Sequence, residues 1–425
     1  MIPLILAIMI ICALCGAPLF VFFGGLALLL FAIAGIDISA VIIEMYRMAS
    51  APTLVAIPLF TFAGYLMANS KTPKRLVDLV QALVGWMPGG LAIVCLIACA
   101  FFTAFTGASG VTIIALGGLL YPILIKEKYP ERFSMGLMTT SGSLGLLFPP
   151  SLPLILYAII ARVNVDELFL AGIVPGVLLI AALSIYSIHI GVKAKVQKQA
   201  FCLKTLIKAF AQAIWIVPLP IIILGGIYGG IFTASEAAAV TVVYVLFVEL
   251  VIYRDLKPFR DIPRIAADSM ILVGGVLVIL GCAMGLTNYL VDAEVPTKII
   301  ALMRQYISSK YTFLIVLNLC LLAVGCLMDI FSAIIVVVPL ILPIASEFGI
   351  NPIHLGIIFL TNLEIGYLTP PVGLNLFISS YRLKKPIPQL CRSVLPFLLV
   401  LIICLLVITY VPDISLGLIK ILRGS

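Results

Sequence analysis

Residues 366–377 read GYLTPPVGLNLF and lie inside one of the longest apolar stretches of the chain. Two prolines, a threonine and an asparagine are unexpected there, because every backbone N–H and C=O group in hydrocarbon needs a hydrogen-bond partner. A proline removes one donor and clashes with the preceding helical turn, so the segment should break its helix. Irregular backbone is tolerated at membrane depth where it lines a cavity. The stretch therefore predicts a broken membrane helix beside a binding site.

The composition supports a membrane setting for the whole chain. Apolar residues form 63% of the 425 residues, charged residues form 10%, and the mean hydropathy is +1.28. A soluble chain of this length would need more charge to cover its surface. Runs of about twenty apolar residues, long enough to cross about 30 Å of hydrocarbon, recur from end to end. They are predicted at 2–15, 17–35, 54–69, 133–162, 168–190, 210–230, 235–253, 269–291, 352–379 and 394–411.

The N-terminal run lacks the basic segment and the small-residue cleavage site of a signal peptide, so we expect it to be kept as a first span. The ten cysteines lie scattered in apolar segments. Cys12 and Cys15 form a C-x-x-C pair inside that first span, but no second pair accompanies it. Packing roles are therefore favoured over metal or redox chemistry.

Two further apolar blocks, 88–125 and 311–346, carry a polar break at their centres. The loops 191–208 and 380–392 are rich in Lys and Arg and contain no acid, so the positive-inside rule places both in the cytoplasm. If successive spans cross the membrane in alternating directions from these loops, nineteen of the 26 Lys and Arg residues lie on the cytoplasmic side and seven lie outside. This count requires that the two blocks enter and leave the membrane on the same side, as re-entrant hairpins.

The chain contains an internal repeat in which prolines and glycines recur at one constant spacing. The matching pairs are Pro122 and Pro343, Pro149 and Pro370, Pro150 and Pro371, Pro175 and Pro396, Gly145 and Gly366, and Gly64 and Gly285. Five predicted crossings separate the two hairpins, so the halves should have opposite orientations. Inverted repeats with broken helices in corresponding positions indicate a secondary transporter with a site near the bilayer midplane.

We therefore predict an all-α polytopic membrane protein with two inverted-topology repeats. The predicted parts are N-terminal scaffold spans and an arm at 1–87, a first transport repeat at 88–190, central scaffold spans and a second arm at 191–310, a second transport repeat at 311–411, and a tail at 412–425. Each transport repeat consists of a hairpin (88–125 or 311–346) followed by a broken span (133–162 or 352–379).

The first half places small and hydroxyl residues at the hairpin tip and before the paired prolines. Glycines let backbone approach a ligand closely, and the helix that restarts near residue 112 points its free N–H groups toward the tip. The residues predicted to bind ion or substrate there are Thr106, Gly107, Ser109, Ser141, Gly142, Gly145, Pro149 and Pro150.

The second half repeats the arrangement in GCLMDIFSAIIVVVP and TNLEIGYLTPPVGLN. The binding residues predicted there are Asp329, Ser332, Thr361, Asn362, Gly366, Thr369, Pro370 and Pro371. Oxygen ligands suit a hard cation such as Na⁺, whereas helix N-termini suit an anion. We expect Na⁺ ligands at Ser109, Gly142, Asp329, Asn362 and Thr369.

Several ionisable residues in apolar surroundings have two interpretations. A carboxylate at the bilayer centre costs about 2.5–3.5 kcal/mol on insertion scales, so Asp329 is a functional candidate, although it could also cap the helix near Ser332. Glu364 and Glu236 could be functional or could pair with a neighbouring helix, and pairing is favoured for Glu236. His189 and His354 lie at span ends and should be structural.

These residues resemble the large membrane subunit of the tripartite ATP-independent periplasmic (TRAP) transporters. The resemblance lies in IPLFTFAGYLM, FTGASGVTIIALGGLLYP, LGLLFPPSLPLILY, FTASEAAAV and the long run MDIFSAIIVVVPLILPIASEFGINPIHLGIIFLTNLEIGYLTPPVGLNLF, which together span residues 57–379. It implies an elevator-type secondary transporter of the bacterial inner membrane, with a scaffold and a moving transport domain that holds both hairpins. It is not an enzyme on this interpretation.

The resemblance also implies Na⁺ as coupling ion and uptake of an organic acid anion, such as a C4-dicarboxylate or sialic acid. The implied partners are a periplasmic substrate-binding protein and a small four-helix membrane subunit, which we expect as a separate chain. The lipid bilayer surrounds the protein, and neither a covalent cofactor nor a nucleic acid is expected. The family's first tip usually reads Ser-Gly-Ser, whereas this chain has Thr106-Gly107-Ala108-Ser109, which leaves the ligands of the first ion site open.

Two other functions are considered from the sequence. GASG around Ser109 and HLG at His354 resemble the nucleophile and base of rhomboid intramembrane proteases, but the predicted topology separates them by about half a bilayer, ~15 Å. A stand-alone Na⁺–dicarboxylate symporter shares the inverted hairpins. ATP drive has no support, because the G-x-x-x-x-G-K-[ST] phosphate loop does not occur in the sequence. The substrate stays open, because no Arg or Lys falls inside the predicted transport core.

Overall fold

A computed structural model describes residues 18–196, 202–295, 298, 307 and 309–423. The predicted first span at 2–15 and the Cys12–Cys15 pair lie outside these residues. Within the described ranges the chain is helical and contains no strand. The prediction of an all-α polytopic protein is therefore confirmed.

The helices are labelled in chain order. The first half contains α1 (Leu19–Ile33), α2 (Ser39–Ala49), α3 (Ala56–Asn69), α4 (Thr72–Val84), α5 (Gly90–Thr106), α6 (Ser109–Lys126), α7 (Glu131–Ser141), α8 (Leu152–Ala161) and α9 (Val165–Lys193). The centre contains α10 (Leu203–Ala213), α11 (Pro218–Tyr228), α12 (Ala234–Ile252) and α13 (Asp261–Asp292). The second half contains α14 (Lys310–Leu327), α15 (Ile330–Glu347), α16 (Pro352–Gly366), α17 (Leu374–Leu383), α18 (Ile387–Tyr410) and α19 (Asp413–Arg423).

Many of these helices are long and apolar enough to cross a membrane. Eight helices in the described part of the chain pass on length and composition, and ten candidate spans result if two bent pairs count as one span each. One bent pair is α7 and α8, which meet at 44°, and the other is α10 and α11, which meet at 54°. The run predicted at 210–230 is thus divided, and Pro218 and Pro220 supply the break because neither can donate to a preceding turn.

The structure contains two helical hairpins and two interrupted helices in the segments where the sequence predicted hairpins and broken spans. Helices α5 and α6 form the first hairpin, and α14 and α15 form the second. Between α7 and α8 lies a short 3₁₀ turn, Leu144–Leu147, and residues 367–373 separate α16 from α17. The peptide bonds Pro149–Pro150 and Pro370–Pro371 are both cis. Helices α6 and α15 start at positions that are separated by the same number of residues as these two proline pairs. The same holds for the starts of α7 and α16.

The hairpins and breaks pack together in a crossed arrangement. Helix α6 packs against α17, the second part of the other half's broken helix, and α15 packs in the same way against α8. Each hairpin's first helix lies instead on the break of its own half: α5 contacts Leu144–Leu147, and α14 runs along α16. The central core is built largely of Leu, Ile and Phe side chains from these elements, together with α9 and α18.

The remaining helices surround this core. Helix α13 packs against α1, α2 and α3, and α12 packs against α3. The segment 412–425, predicted as a tail, contains α19, which packs against α9 and α16. Helix α19 buries Ser415 and Ile419 and exposes Ile421. Its one-sided apolar pattern explains why it folds onto the protein surface.

Candidate binding site at the two helix breaks

The tip of the first hairpin is a glycine turn followed by an uncapped helix. Gly107 ends α5 in the left-handed conformation, with φ of +65°, and its N–H donates to Thr103 O at 2.8 Å. A Cβ on Gly107 would also overlap the Leu152 side chain. No side chain from the described part of the chain caps the start of α6 at Ser109. The N–H groups of this first turn can therefore serve an anionic ligand.

The first tip lies directly against the first break. A Cβ on Gly145 would overlap Ala100 O, and a Cβ on Gly142 would lie 3.4 Å from Ser109 O. Thr103 donates its hydroxyl to Gly142 O at 2.8 Å. The structure thus places Gly142 beside Ser109 at the tip and Gly145 against Ala100 of α5, while Gly107 lies against Leu152 of α8. Their role in binding stays a prediction.

Thr103 was not identified from the sequence. Its hydroxyl lies 2.6 Å from Thr112 Oγ1 as well as bonding Gly142 O, so it joins both helices of the hairpin to the break. The signal was a hydroxyl residue one helical turn before the tip, in an otherwise apolar helix. Such a residue is more often bonded within its own helix, which is why the pattern alone did not reveal it.

The rest of the first site is buried. Ser141 Oγ donates to Met138 O at 3.4 Å, Pro150 is buried, and Pro149 is partly exposed. Thr140 Oγ1 and Ser151 Oγ flank the break and have no hydrogen-bond partner among the described residues, although both are buried. Two unpartnered hydroxyl groups at a helix break are available to a ligand, because a buried polar atom otherwise loses its hydration without compensation.

At the second tip, Asp329 caps α15. Its Oδ2 accepts the Ser332 N–H at 3.0 Å, and its Oδ1 accepts the Ser332 hydroxyl. The capping interpretation of Asp329 is therefore confirmed, while its role as a cation ligand stays a prediction. Tyr367, which the sequence analysis did not select, accepts the Ile330 N–H on its hydroxyl at 2.6 Å and so joins the tip to the second break.

The second break is held by close glycine contacts. A Cβ on Gly366 would lie 2.5 Å from Gly325 C and 2.9 Å from Gly325 O. The Gly373 N–H donates to Cys326 O at 3.2 Å, and Thr369 Oγ1 donates to Ile365 O at 3.0 Å. Unlike Pro150, both Pro370 and Pro371 are exposed. Thr361 lies within α16 and bonds its own helix at Ile357 O.

Asn362 belongs to a polar cluster between helices rather than to the tip itself. Its Nδ2 donates to Asn318 Oδ1 at 2.7 Å and to Ile358 O at 2.8 Å, while its Oδ1 is buried without a partner among the described residues. Asn318 in turn donates to Thr409 Oγ1 at 3.3 Å. The sequence analysis missed Asn318, whose signal was a lone amide in the apolar helix α14.

The other ionisable residues divide into different roles. Glu364 is 1% exposed, and neither carboxylate oxygen has a partner within the described ranges. Glu236 is exposed and forms a capping box with Thr233 in its own helix, so the predicted pairing with a neighbouring helix is wrong. The first turn of α12 supplies this bond locally, because Thr233 stands three residues before Glu236.

His354 is structural, as predicted. Its two ring nitrogens lie 3.2 Å from Ser415 Oγ and 3.3 Å from Thr409 O. Both nitrogens therefore have partners other than Ser109, and the serine-protease alternative loses its base. His189 is exposed on α9. Arg382 lies at the end of α17, and its guanidinium lies beside Gly118 of α6. The sequence placed Arg382 in a loop, whereas the structure places its side chain against the first hairpin.

Residues 5–414 match a family model described as "Tripartite ATP-independent periplasmic transporter, DctM component". The chain belongs to this family. A Pseudomonas aeruginosa protein named C4-dicarboxylate TRAP transporter large permease protein DctM is 37% identical, and the match covers 93% of this chain and 92% of that protein. An Oleidesulfovibrio alaskensis protein named isethionate TRAP transporter permease protein DctMQ is 34% identical over 96% of this chain and 69% of that protein. The resemblance drawn from the motifs is confirmed, and the chain is a TRAP large permease.

A solved structure supports the fold of this permease. The Alcanivorax borkumensis YdaH transporter, whose crystal structure is described as having an unusual topology, matches 94% of this chain and 98% of its own chain. The TM-score is 0.68 and the sequence identity is 15%. At this identity the likeness concerns the fold alone.

Proposed function

We propose that this permease is the large membrane subunit of a Na⁺-coupled TRAP transporter in the bacterial inner membrane. It would take up an organic acid anion that a periplasmic binding protein delivers. The observation that carries the proposal is that each interrupted helix meets a hairpin tip, once in each half of the chain. At membrane depth, such breaks persist where they line a cavity or bind a ligand.

The inverted repeat is part of this proposal. The positions at which helices begin support it. Helices α6 and α15 begin at matching positions of the two halves, and so do α7 and α16. The crossed packing of α6 on α17 and of α15 on α8 supports it independently of the sequence pattern. The two hairpins and two broken helices would move together as the transport domain of an elevator, against a scaffold that includes α1, α3, α12 and α13.

Sodium is proposed as the coupling ion because both breaks and their tips present carbonyl, hydroxyl or carboxylate oxygen atoms. The first site would use the carbonyl groups of Ser109 and Gly142, held close by Thr103. The second would use backbone near Gly366 and Thr369, with Asp329 at the adjacent tip. Hard cations take carbonyl, hydroxyl and carboxylate oxygens as ligands, and half-helix C-terminal ends favour positive charge.

An anionic substrate is proposed from two observations. Within the described ranges no side chain caps the N-termini of α6 and α17, so their N–H groups and positive dipole ends are available to a carboxylate. Relatives of this chain carry names that refer to C4-dicarboxylate, isethionate, 2,3-diketo-L-gulonate and ectoine or 5-hydroxyectoine. Each of these molecules bears a carboxylate or a sulfonate, so the shared recognition element would be a small oxyanion.

The transporter would need two partners. One is a periplasmic binding protein, and the other is a small membrane subunit. The relative named DctMQ supports the proposal that such a subunit is part of the permease. Thermal-shift screening of the cognate binding protein against organic acids would identify the substrate class. A stand-alone Na⁺–dicarboxylate symporter would instead work without either partner.

Reconstitution tests the proposal. The permease, with its small subunit and loaded binding protein, is placed in proteoliposomes with an imposed Na⁺ gradient. Uptake should require Na⁺ and the binding protein, should not respond to ATP, and should rise with an inside-negative potential if net positive charge enters. Full uptake in choline or potassium medium would rule out Na⁺ coupling, and uptake of free substrate without binding protein would favour the stand-alone symporter.

A further inference from the structure

A large groove with several charged lining residues lies between α4 and α10, and none of its described lining residues belongs to either helix break. Its volume is about 780 Å³, and its charged lining residues are Lys71, Lys74, Arg75, Lys208 and Asp78. Helix α10 faces α4 with Ala209 and Ala213, its two buried residues, and exposes most of its other side chains. Ala213 packs against Leu79 of α4, so a small side chain lets the two helices approach closely beside the groove.

The groove contains one fixed and partly buried cation. The Arg75 side chain is 16% exposed, lies 3.7 Å over the Tyr253 ring and forms an ion pair with Asp255, whose side chain is 3% exposed. Lys71 Nζ lies 3.5 Å from Asp255 Oδ1. Burial alone would raise the pKa of Asp255, but the hydrogen bond and charge of Arg75 lower it below 3.8, so this carboxylate is ionised at neutral pH.

The positive charge in the groove exceeds the negative charge. Among the described residues, four cations line it, and Asp78 in the lining and Asp255 beside it supply two carboxylates. Neither Lys74 nor Lys208 has a hydrogen-bond or ion-pair partner closer than 4 Å in the described part of the chain. Asp78 lies one helical turn from Lys74 and interacts with its charge, and the remaining excess of positive charge in the groove favours an anionic ligand.

Aromatic and apolar residues place the groove at the membrane surface. The chain has two tryptophans, and both are near the groove: Trp86 lines it, and Trp215 follows α10. Tryptophan is enriched where hydrocarbon meets the headgroups. Leu203, Ile207 and Phe210 form a stripe on α10 that is 47–60% exposed, beside Lys204 and Lys208. A helix with an apolar stripe next to lysines is typical of a segment that lies in the membrane interface.

We propose that this groove binds the headgroup of an anionic phospholipid in the cytoplasmic leaflet. The lipid phosphate would lie between Lys74 and Lys208, and the acyl chains would run over Leu203, Ile207 and Phe210. Basic pockets on the cytoplasmic side of membrane proteins bind anionic lipid headgroups in this way. The apolar stripe next to the cations favours a lipid over a soluble anion or an acidic protein segment, because neither of those would cover it. The site is independent of the transport function proposed above.

Tryptophan fluorescence provides a direct test on the full chain. Trp215→Phe leaves Trp86 as the sole tryptophan, and the backbone oxygen of residue 215 can still accept the Tyr244 hydroxyl. The variant is placed in nanodiscs that contain either brominated phosphatidylglycerol or brominated phosphatidylcholine at the same mole fraction. Brominated chains quench tryptophan on contact. We expect about fivefold preferential association of phosphatidylglycerol, because one basic residue near an anionic surface is worth about this factor.

Matched variants separate the groove from general surface charge. Lys74→Gln with Lys208→Gln should abolish the preference, whereas Lys126→Gln with Lys128→Gln, exposed at the end of α6, should keep it. Unchanged thermal unfolding would show that the groove variant is folded. Equal quenching by the two lipids would overturn the proposal. Loss of the preference on addition of 10 mM inorganic phosphate, with ionic strength held constant, would also overturn it and assign the groove to a soluble anion.

Discussion

Thr103 shows how one hydroxyl can connect three pieces of backbone at the first site. It lies within hydrogen-bond distance of Thr112 and donates to Gly142 O, so both hairpin helices and the break share one hydrogen-bond network. Thr61 is also fully buried, but among the described residues its hydroxyl bonds only Ile57 O in its own helix. These two threonines therefore form a matched pair for mutation.

We predict that Thr103→Val will weaken Na⁺ binding while Thr61→Val will not. Valine keeps the shape but removes the hydroxyl, and leaving a buried carbonyl such as Gly142 O unpaired costs about 1–3 kcal/mol. The measurement is Na⁺-dependent uptake in proteoliposomes, in which the half-saturating Na⁺ concentration should rise several-fold for Thr103→Val. Equal curves for both variants would mean that Thr103 has only a packing role.

Gly366 is required by contact rather than by backbone conformation. A Cβ there would lie 2.5 Å from Gly325 C, whereas a Cβ on Gly274 in α13 would meet no atom of the described residues within 4 Å. We predict that Gly366→Ala will separate α14 from α16, lower stability by about 1–3 kcal/mol through overpacking and reduce uptake strongly. Gly274→Ala should behave like wild type in thermal unfolding and in transport. Wild-type transport by Gly366→Ala would show that the two helices can part without loss of the site.

At the scale of elements, a pair of prolines lies in each helix break, after the first part of the interrupted helix has ended. Pro149–Pro150 and Pro370–Pro371 follow α7 and α16 at corresponding positions, but the first pair is largely covered and the second pair is exposed. The two breaks are therefore alike in chain position and different in environment. The second break is the more accessible one in this structure.

We predict that replacement of Pro370 and Pro371 by Ala will abolish transport while expression and assembly persist. An interior proline costs about 3 kcal/mol in a helix, so alanine should allow the helix to continue and withdraw its backbone groups from ion and substrate. The same change at Pro149 and Pro150 should act likewise. The measurement is uptake by purified protein with its partners. A doubly substituted 370/371 variant with wild-type rate and unchanged Na⁺ dependence would mean that the site lies elsewhere.

The ion pair between Arg75 of α4 and Asp255 in the loop after α12 should respond to acid. The pKa of Asp255 is lowered in the folded protein, so its ionised form contributes stability that is fully present above pH 3.8 and is lost as the pH falls through the lower, folded pKa. We predict that Asp255→Asn will lower the melting temperature at pH 7 and that its difference from wild type will shrink below pH 3.8. A difference that is constant from pH 7 to pH 3 would contradict the ion-pair account.

At the scale of the whole molecule, the inverted topology makes a prediction about sidedness. The structure refines the choice of labelling positions, because a Cβ on Gly191 would lie 2.7 Å from Gly89 Cα, whereas Lys193, Tyr381 and Arg162 are exposed. In a background without reactive cysteines, Lys193→Cys and Tyr381→Cys should resist an impermeant thiol reagent added outside. Arg162→Cys should react. Labelling of position 193 from outside would overturn the inverted arrangement.

The sequence by itself determined the membrane setting, the helix breaks and the family. Runs of apolar residues must be helices in hydrocarbon, and Pro149, Pro150, Pro370 and Pro371 interrupt a helix wherever it packs. The tip residues Gly107 and Ser109 and the break residues Gly142 and Gly145 could be predicted to meet, because small residues mark close approach. The spans and the breaks depend on groups that are near one another along the chain, and the meeting of tip and break depends on the repeated pattern of small residues.

Only the tertiary structure decided which distant groups became partners. The bonds of Thr103 to Gly142 and of Asn362 to Asn318 join residues 39 and 44 positions apart, and the bond of Arg75 to Asp255 spans 180 positions. Glu236 bonds Thr233 at the start of its own helix and does not pair with a neighbouring helix, although its sequence surroundings allowed both. The reason is physical. Helix formation follows from local composition and hydrocarbon, but the choice between two polar partners depends on how the helices pack and on which groups that packing buries.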